Sequence, residues 1–135
     1  MDTMDKDKMN ISSIETYLNS IFDNTISNNT IFGYMIEKSA IPDDWKDMVL
    51  IEVPNGVEDM DAYGQGTILV WLYARPLLSG KKNVATMSTL EKKLNEVIKS
   101  SRNSTYQISR RLTYTYYDTD IDWHCNVVEL NILIV

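Results

Sequence analysis

Residues 67–75 place the tightest limit on what this chain can become. Ile68, Val70 and Leu72 alternate with Leu69, Trp71 and Tyr73, so a strand built here is apolar on both faces. Such a strand must be central in its sheet, or covered on both sides. Pro76 ends it, because proline cannot donate to a ladder. The remaining elements are therefore read as what surrounds this strand.

Ser12-Ser13-Ile14-Glu15 has the form of a capping box, and Ile14, Tyr17, Leu18, Ile21 and Phe22 follow at helical spacing. A helix over residues 13–23 is expected, after a solvated tail over residues 1–10. Ser88-Thr89-Leu90-Glu91 repeats the capping pattern, and Met87, Leu90, Leu94, Val97 and Ile98 form the stripe of a second helix that reaches about residue 100. Strands are expected over residues 31–38 and 48–53, the second carrying Val49, Ile51 and Val53 on one face. Residues 55–66 hold Gly56, Gly64 and Gly66 with Glu58, Asp59 and Asp61, and read as a long loop. Residues 77–83 form another loop. In residues 108–117 Ile108, Arg110, Leu112, Tyr114 and Tyr116 alternate with Ser109, Arg111, Thr113, Thr115 and Tyr117, the pattern of a half-buried strand. Residues 118–122 turn, and residues 126–135 give the last strand, with Val128, Leu130, Ile132 and Ile134 inward.

The order is α-β-β-β-α-β-β. Strands come in runs, so the fold class is α+β: a mixed, mostly antiparallel sheet of about five strands with two helices on one face. The 135 residues suit one domain, residues 11–135, with no linker or repeat. Apolar residues at 44% and charged residues at 24% match a globular chain and argue against wholesale disorder. Nineteen acids against thirteen bases give a net charge of -6, which argues against a main task of gripping phosphates. A lone cysteine, Cys125, excludes an intrachain disulfide and suits a reducing compartment. The charged N-terminus lacks an apolar signal region, and the apolar runs are too short to span a bilayer as helices, so a cytoplasmic site of synthesis and no membrane partner are expected.

Few patterns carry chemistry. Asp118, Asp120, Asp122 and Glu129 fall at positions 1, 3, 5 and 12 of a calcium-loop frame, but Trp123 stands where the sharp turn requires glycine and the flanks are strand-like. An acidic hairpin turn is the reading that remains. His124 and Cys125 are adjacent, so on a strand they face opposite sides and form no nucleophile pair. His124 reads as a surface or hydrogen-bonded histidine. Asp43 with Asp44, and Asp59 with Asp61, are paired carboxylates of the kind used in acid–base catalysis, though in loops they are ordinarily solvated. Gly64-Gln65-Gly66 precedes a strand and lacks a third glycine, unlike a dinucleotide fingerprint. Arg110 and Arg111 lie among tyrosines as in single-strand binders, but they point to opposite faces of an alternating strand. Trp71 reads as core. Trp45 and Trp123 sit at strand ends and read as contact anchors.

The early helix over Ile14 to Phe22, the strand ending at Pro76, the helix from Met87 to Ser100 and the closing strand pair together resemble, in order and length, the tail terminator and head–tail completion (neck ring) proteins of tailed bacteriophages. The resemblance implies a non-catalytic structural protein of the virion without a cofactor or metal. It implies cyclic rings, hexameric or of another order, that join the tail to the head connector. Its partners would be further copies of itself, tail-tube or neck proteins, and DNA passing through the lumen without specific binding. The loops 55–66 and 77–83 match the family's extended loops, which makes Asp59, Asp61, Tyr63, Lys81 and Lys82, together with the anchors Trp45 and Trp123, the candidate inter-subunit or lumen contacts. Two other readings stand beside it: a small intracellular protein-binding or regulatory domain without catalysis, and an enzyme using loop carboxylates.

Overall fold

A computed structural model describes residues 5–33 and 36–135. Residues 1–4 of the expected tail, and Tyr34 and Met35 of the expected first strand, lie outside the described residues. The doubly apolar segment becomes β4 once the strands are counted along the chain: β1 (Thr30–Phe32), β2 (Asp47–Glu52), β3 (Glu58–Asp59) and β4 (Gly64–Ala74), followed by β5 (Tyr106–Asp118) and β6 (Trp123–Ile134). The sheet runs β1-β2-β4-β6-β5, with β3 added against the start of β4. β4 is central, paired antiparallel to β2 and to β6, and β5 pairs antiparallel to β6. β1 alone is parallel to its neighbour, so the sheet is mixed and mostly antiparallel. The expected α+β class is what the chain adopts.

Two helices, α1 (Ile11–Phe22) and α2 (Val84–Ser100), cover one face. Ile14, Leu18 and Phe22 of α1, with Met87, Leu90 and Leu94 of α2, pack on Val49, Ile51, Ile68, Val70, Leu72, Val128, Leu130 and Ile132. Both helices start earlier than the capping boxes suggested. Asn10 is the N-cap of α1, and Ser12 and Ser13 lie inside the helix. α2 is capped by Asn83, whose side-chain oxygen accepts the Thr86 N–H at 3.1 Å. An asparagine there satisfies one of the first-turn amides as well as serine would, so Ser88 has no capping task.

The opposite face is also dry over half its length. A second core joins Met48 and Leu50 of β2, Tyr73 of β4 and Trp123, Cys125 and Val127 of β6 with Ile41 and Ile121 from loops. The cover comes from the β1–β2 connection. A parallel pair cannot be joined by a tight hairpin and needs a crossover of a dozen residues or more. Its described part, residues 36–46, has a short 3-10 turn at Lys38–Ala40, with Ile36, Ile41 and Trp45 laid on the sheet. Arg75 pins this crossover: Nε donates to the Trp45 carbonyl at 2.7 Å, and a terminal nitrogen donates to the Pro42 carbonyl at 3.0 Å. The strand expected over residues 31–38 therefore stops at Phe32, where Gly33 turns the chain with φ 93°.

Three further differences matter for the surface. Residues 5–10, read as part of a solvated tail, instead carry a 3-10 turn at Lys6–Met9, with Met9 against the helix-side core. β6 begins at Trp123, so Trp123 is a buried core residue and not an exposed anchor. β5 carries a register shift between Arg110 and Leu112. An extra residue in one strand reverses the facing of everything after it. Ile108 thus lies in the helix-side core, whereas Leu112, Tyr114 and Tyr116 sit opposite Glu129, Val127 and Cys125 on the other face. The single alternating set expected from residues 108–116 is split in two.

This split is measurable. Leu72→Ala, in the fully buried helix-side core, should destabilise the fold by about 2–5 kcal/mol in urea unfolding. Leu112→Ala, 49% exposed past the shift, should change stability by no more than about 0.5 kcal/mol. A large loss at Leu112 would restore the unbroken alternation.

Candidate functional site

Asp59 and Asp61 are brought together by a turn in which the Asp61 N–H donates to Asp59 Oδ1 at 2.8 Å, with Asp61 at φ 65°. Lys6 Nζ donates to the same Asp59 oxygen at 2.7 Å and lies 3.8 Å from an Asp61 carboxylate oxygen. The lysine contact holds the Asp59 carboxyl below its usual range. All three groups are exposed or half-exposed, so the pair is an open tether for the N-terminal turn. Its contribution is present above the ordinary carboxylate pKa and fades as pH falls through the lower folded value. The protection of the Lys6–Met9 amides, measured against their intrinsic exchange rates, should therefore fall on acidification before that of the rest of the sheet does; unchanged protection through that range would show that the lysine contact is idle. Tyr63 stands beside this turn, partly exposed.

Beside it lies a groove of about 620 Å³ on the face away from the helices. Its floor is a cross-strand row, Glu52 on β2, Leu69 on β4 and Glu129 on β6, because these residues are paired in register. Thr67 and Asn131 form the next row. Val53, Asn55, Gly56, Val57 and Glu58 make the wall. The wall can sit this close because Gly66 has no side chain: a Cβ there would lie 3.3 Å from the Gly56 carbonyl oxygen and from Pro54. Three carboxylates thus surround an apolar strip, and one of them, Glu129, pairs with Arg111. No residue type in the groove announced it. The signal in the sequence was the outward parity of Glu129 and Asn131 together with the length of the 55–66 loop.

At the other end of β4 the chain makes a tight turn. The Gly80 N–H donates to the Leu77 carbonyl at 2.8 Å and the Leu77 N–H to the Lys81 carbonyl at 2.9 Å. Gly80 takes φ 83°, which a residue with a side chain rarely adopts. Leu78 rides at the tip with its side chain entirely in solvent, 110% exposed relative to the reference state, and Leu77 is 48% exposed. Lys81 is exposed. Lys82 is half-buried and donates to Thr115 Oγ1 and Asn126 Oδ1, so it anchors the turn to the sheet.

The acidic turn after β5 does not assemble a cation site: Asp118 is buried, accepts the Tyr73 hydroxyl at 3.0 Å and the Asp120 N–H at 3.0 Å, while Asp122 pairs with Lys38. Among the described residues no group of three His, Cys, Asp or Glu is placed to hold a metal. Trp123 lies under Arg75, whose guanidinium carbon is 4.7 Å from the ring centre. Trp45 is half-buried against the same core. His124, expected on the surface or hydrogen-bonded, is half-buried against Tyr117, ring centroids 5.0 Å apart, and its Nδ1 has no hydrogen-bond partner among the described residues. Cys125 faces the second core, away from His124. Burial first, then the nearby Asp118 charge, push its thiol up to about 12.

The candidates therefore divide. Asp59, Asp61, Tyr63 and Lys81 are available to partners, Lys82 and Trp45 are partly so, and Trp123 is internal. Sequence reasoning missed Leu77 and Leu78 as exposed apolar groups, and it missed the outer edge of β5. The sequence matches no family model, and a search of curated proteins finds no match.

Cys125 gives a check on this core. Fully buried and with a raised pKa, it should react with a disulfide reagent at mildly alkaline pH only as fast as the protein opens, and denaturant should accelerate the labelling. Rapid stoichiometric labelling of the folded protein would mean the second core is open.

Proposed function

We propose that this chain is a non-catalytic structural protein that assembles into a ring at a phage head–tail junction or tail end, joining the tail to the head connector. The observation that carries the self-assembling part is the pair of unlike surfaces at the two ends of β4. One end presents Leu77 and Leu78 with Lys81. The other, about 30 Å away at ~3.3 Å per residue along the strand, is a groove with an apolar strip between Glu52, Glu58 and Glu129. The two match in polarity and in charge, and they lie too far apart to meet within one chain. A contact between unlike surfaces is heterologous, and repeated around an axis it closes a ring. The order of elements supports the station in the virion, and the net charge of -6 suits a lumen through which DNA slides without sticking.

A second reading, a small protein-binding or regulatory domain without catalysis, is favoured by the same groove, which could equally receive a cationic segment of a different protein.

Light scattering and negative-stain microscopy test the first reading. The wild-type chain should form rings, alone or on a tail tube, and Leu78→Asp should weaken the association by about tenfold or more, equivalent to about 1.4 kcal/mol. Lys81→Glu should weaken it too, and adding Glu58→Lys should restore part of the loss, since the swapped pair regains opposite charges. Asp59→Asn with Asp61→Asn should leave assembly in place. Rings that tolerate Leu78→Asp unchanged would end the loop-into-groove account.

A further inference from the structure

β5 is the longest strand of the sheet and forms its outer edge. Among the described residues it pairs only with β6, so the other side of its backbone offers unpaired N–H and C=O groups. Edges of this kind are normally protected by lysine, proline, a bulge or a covering loop. Here the register shift lies at one end, between Arg110 and Leu112, and residues 112–117, Leu-Thr-Tyr-Thr-Tyr-Tyr, contain no charge and no proline. All six are exposed, with Leu112, Tyr114 and Tyr116 on the open face and Tyr117 on the helix side.

We infer that the edge of β5 pairs antiparallel with β5 of a second copy, about a two-fold axis near Tyr114. Charge selects both the partner and the direction. Arg110 stands at the start of the segment and Asp120 just past its end; Arg111 is already paired with Glu129, and Asp118 is buried against Tyr73. Antiparallel pairing brings the exposed Arg110 of each copy toward the exposed Asp120 of the other, twice, whereas parallel pairing would set like against like. Arg110 makes its side-chain contacts to Asn95 and Thr113, with no carboxylate partner, and Asp120 has no cation partner, among the described residues. With Tyr114 on the axis, Leu112 comes opposite Tyr116 of the copy, so apolar side chains meet on one face. Opposed pairs of this type each add roughly 0.2–1 kcal/mol over alanine. The two-fold contact is isologous and separate from the loop-into-groove contact.

Tyr114→Lys tests it, because the residue is 42% exposed and the substitution puts two like charges beside the axis without touching the core. Circular dichroism should show the fold retained. Light scattering of the wild-type chain should give an even number of subunits, and Tyr114→Lys should halve that number. Amide exchange over residues 112–117 should be slower in the wild type than in the variant. Leu78→Asp should leave a dimer. A wild-type protein that is monomeric at all concentrations, or a Tyr114→Lys variant of wild-type mass, overturns the inference. If Leu78→Asp breaks the assembly and Tyr114→Lys does not, the ring reading survives and this one fails. If only Tyr114→Lys breaks it, this one survives and the ring reading fails.

Discussion

β4 has no face that it can turn to water. Ile68, Val70 and Leu72 are fully buried under the two helices, and Tyr73 is buried on the reverse side with Trp71 and Leu69 partly covered beside it. Two amphipathic helices of this size can cover one face of a six-strand sheet but not both. The second cover has to come from segments that are not helices or strands. Residues 36–46 provide it, and this fits the parallel pairing of β1 with β2: a parallel neighbour forces a long crossover, and the crossover is used as a lid. The lid reaches only the end of the sheet near Tyr73 and Cys125. Toward Gln65 and Asn131 it is absent, and the exposed remainder of that face is the floor of the acidic groove. The groove is thus a consequence of covering a doubly apolar strand with a short connection.

The same economy explains where the polar interior lies. Tyr73, Asp118 and Cys125 meet under the lid, and the hydroxyl of Tyr73 donates to Asp118 where no water competes. Burial, with the neighbouring Cys125 next, raises the tyrosine pKa far above its ordinary value. The carboxylate of Asp118 also accepts the Asp120 amide, so one buried acid both satisfies the core tyrosine and shapes the turn into β6. The acidic run that had the spacing of a calcium loop is therefore employed in structure, one carboxylate turned inward and another held by Lys38.

The class, the central strand and the helical stripes were legible in the sequence because each depends on local periodicity. Ile68 to Tyr73 declare a two-faced strand with no outside information, and Leu90 and Leu94 declare the buried side of α2. What was not legible depends on contacts between distant residues or on a single inserted position. The Asn83 cap competes with Ser88 through the geometry of the preceding turn, which composition does not encode. The shift after Arg110 breaks the alternation at one residue, and the flanking pattern of Tyr and Thr fits either parity, so Leu112 could not be assigned a face. Trp123 looked like a strand end because Asp122 precedes it, yet it continues the Cys125 and Val127 face inward. Lys6 and Asp59 are separated by fifty-three positions, beyond the reach of any local rule.

The two unlike ends of β4 are what the proposed assembly would use. A strand has two different ends, and here one end carries a tight apolar turn set by Gly80 while the other carries the groove that Gly66 permits. Any contact between them is necessarily between unlike surfaces and propagates in one direction. The edge of β5 obeys a different symmetry, since an antiparallel strand is complementary to its own copy. Contacts of both kinds on one subunit would stack two rings across two-fold axes without a second protein. The shift at Arg110 favours such a joint: by moving Leu112, Tyr114 and Tyr116 to the open face, it leaves a flat uncharged row between a basic end and an acidic end, where an unshifted strand would have placed those side chains under α2.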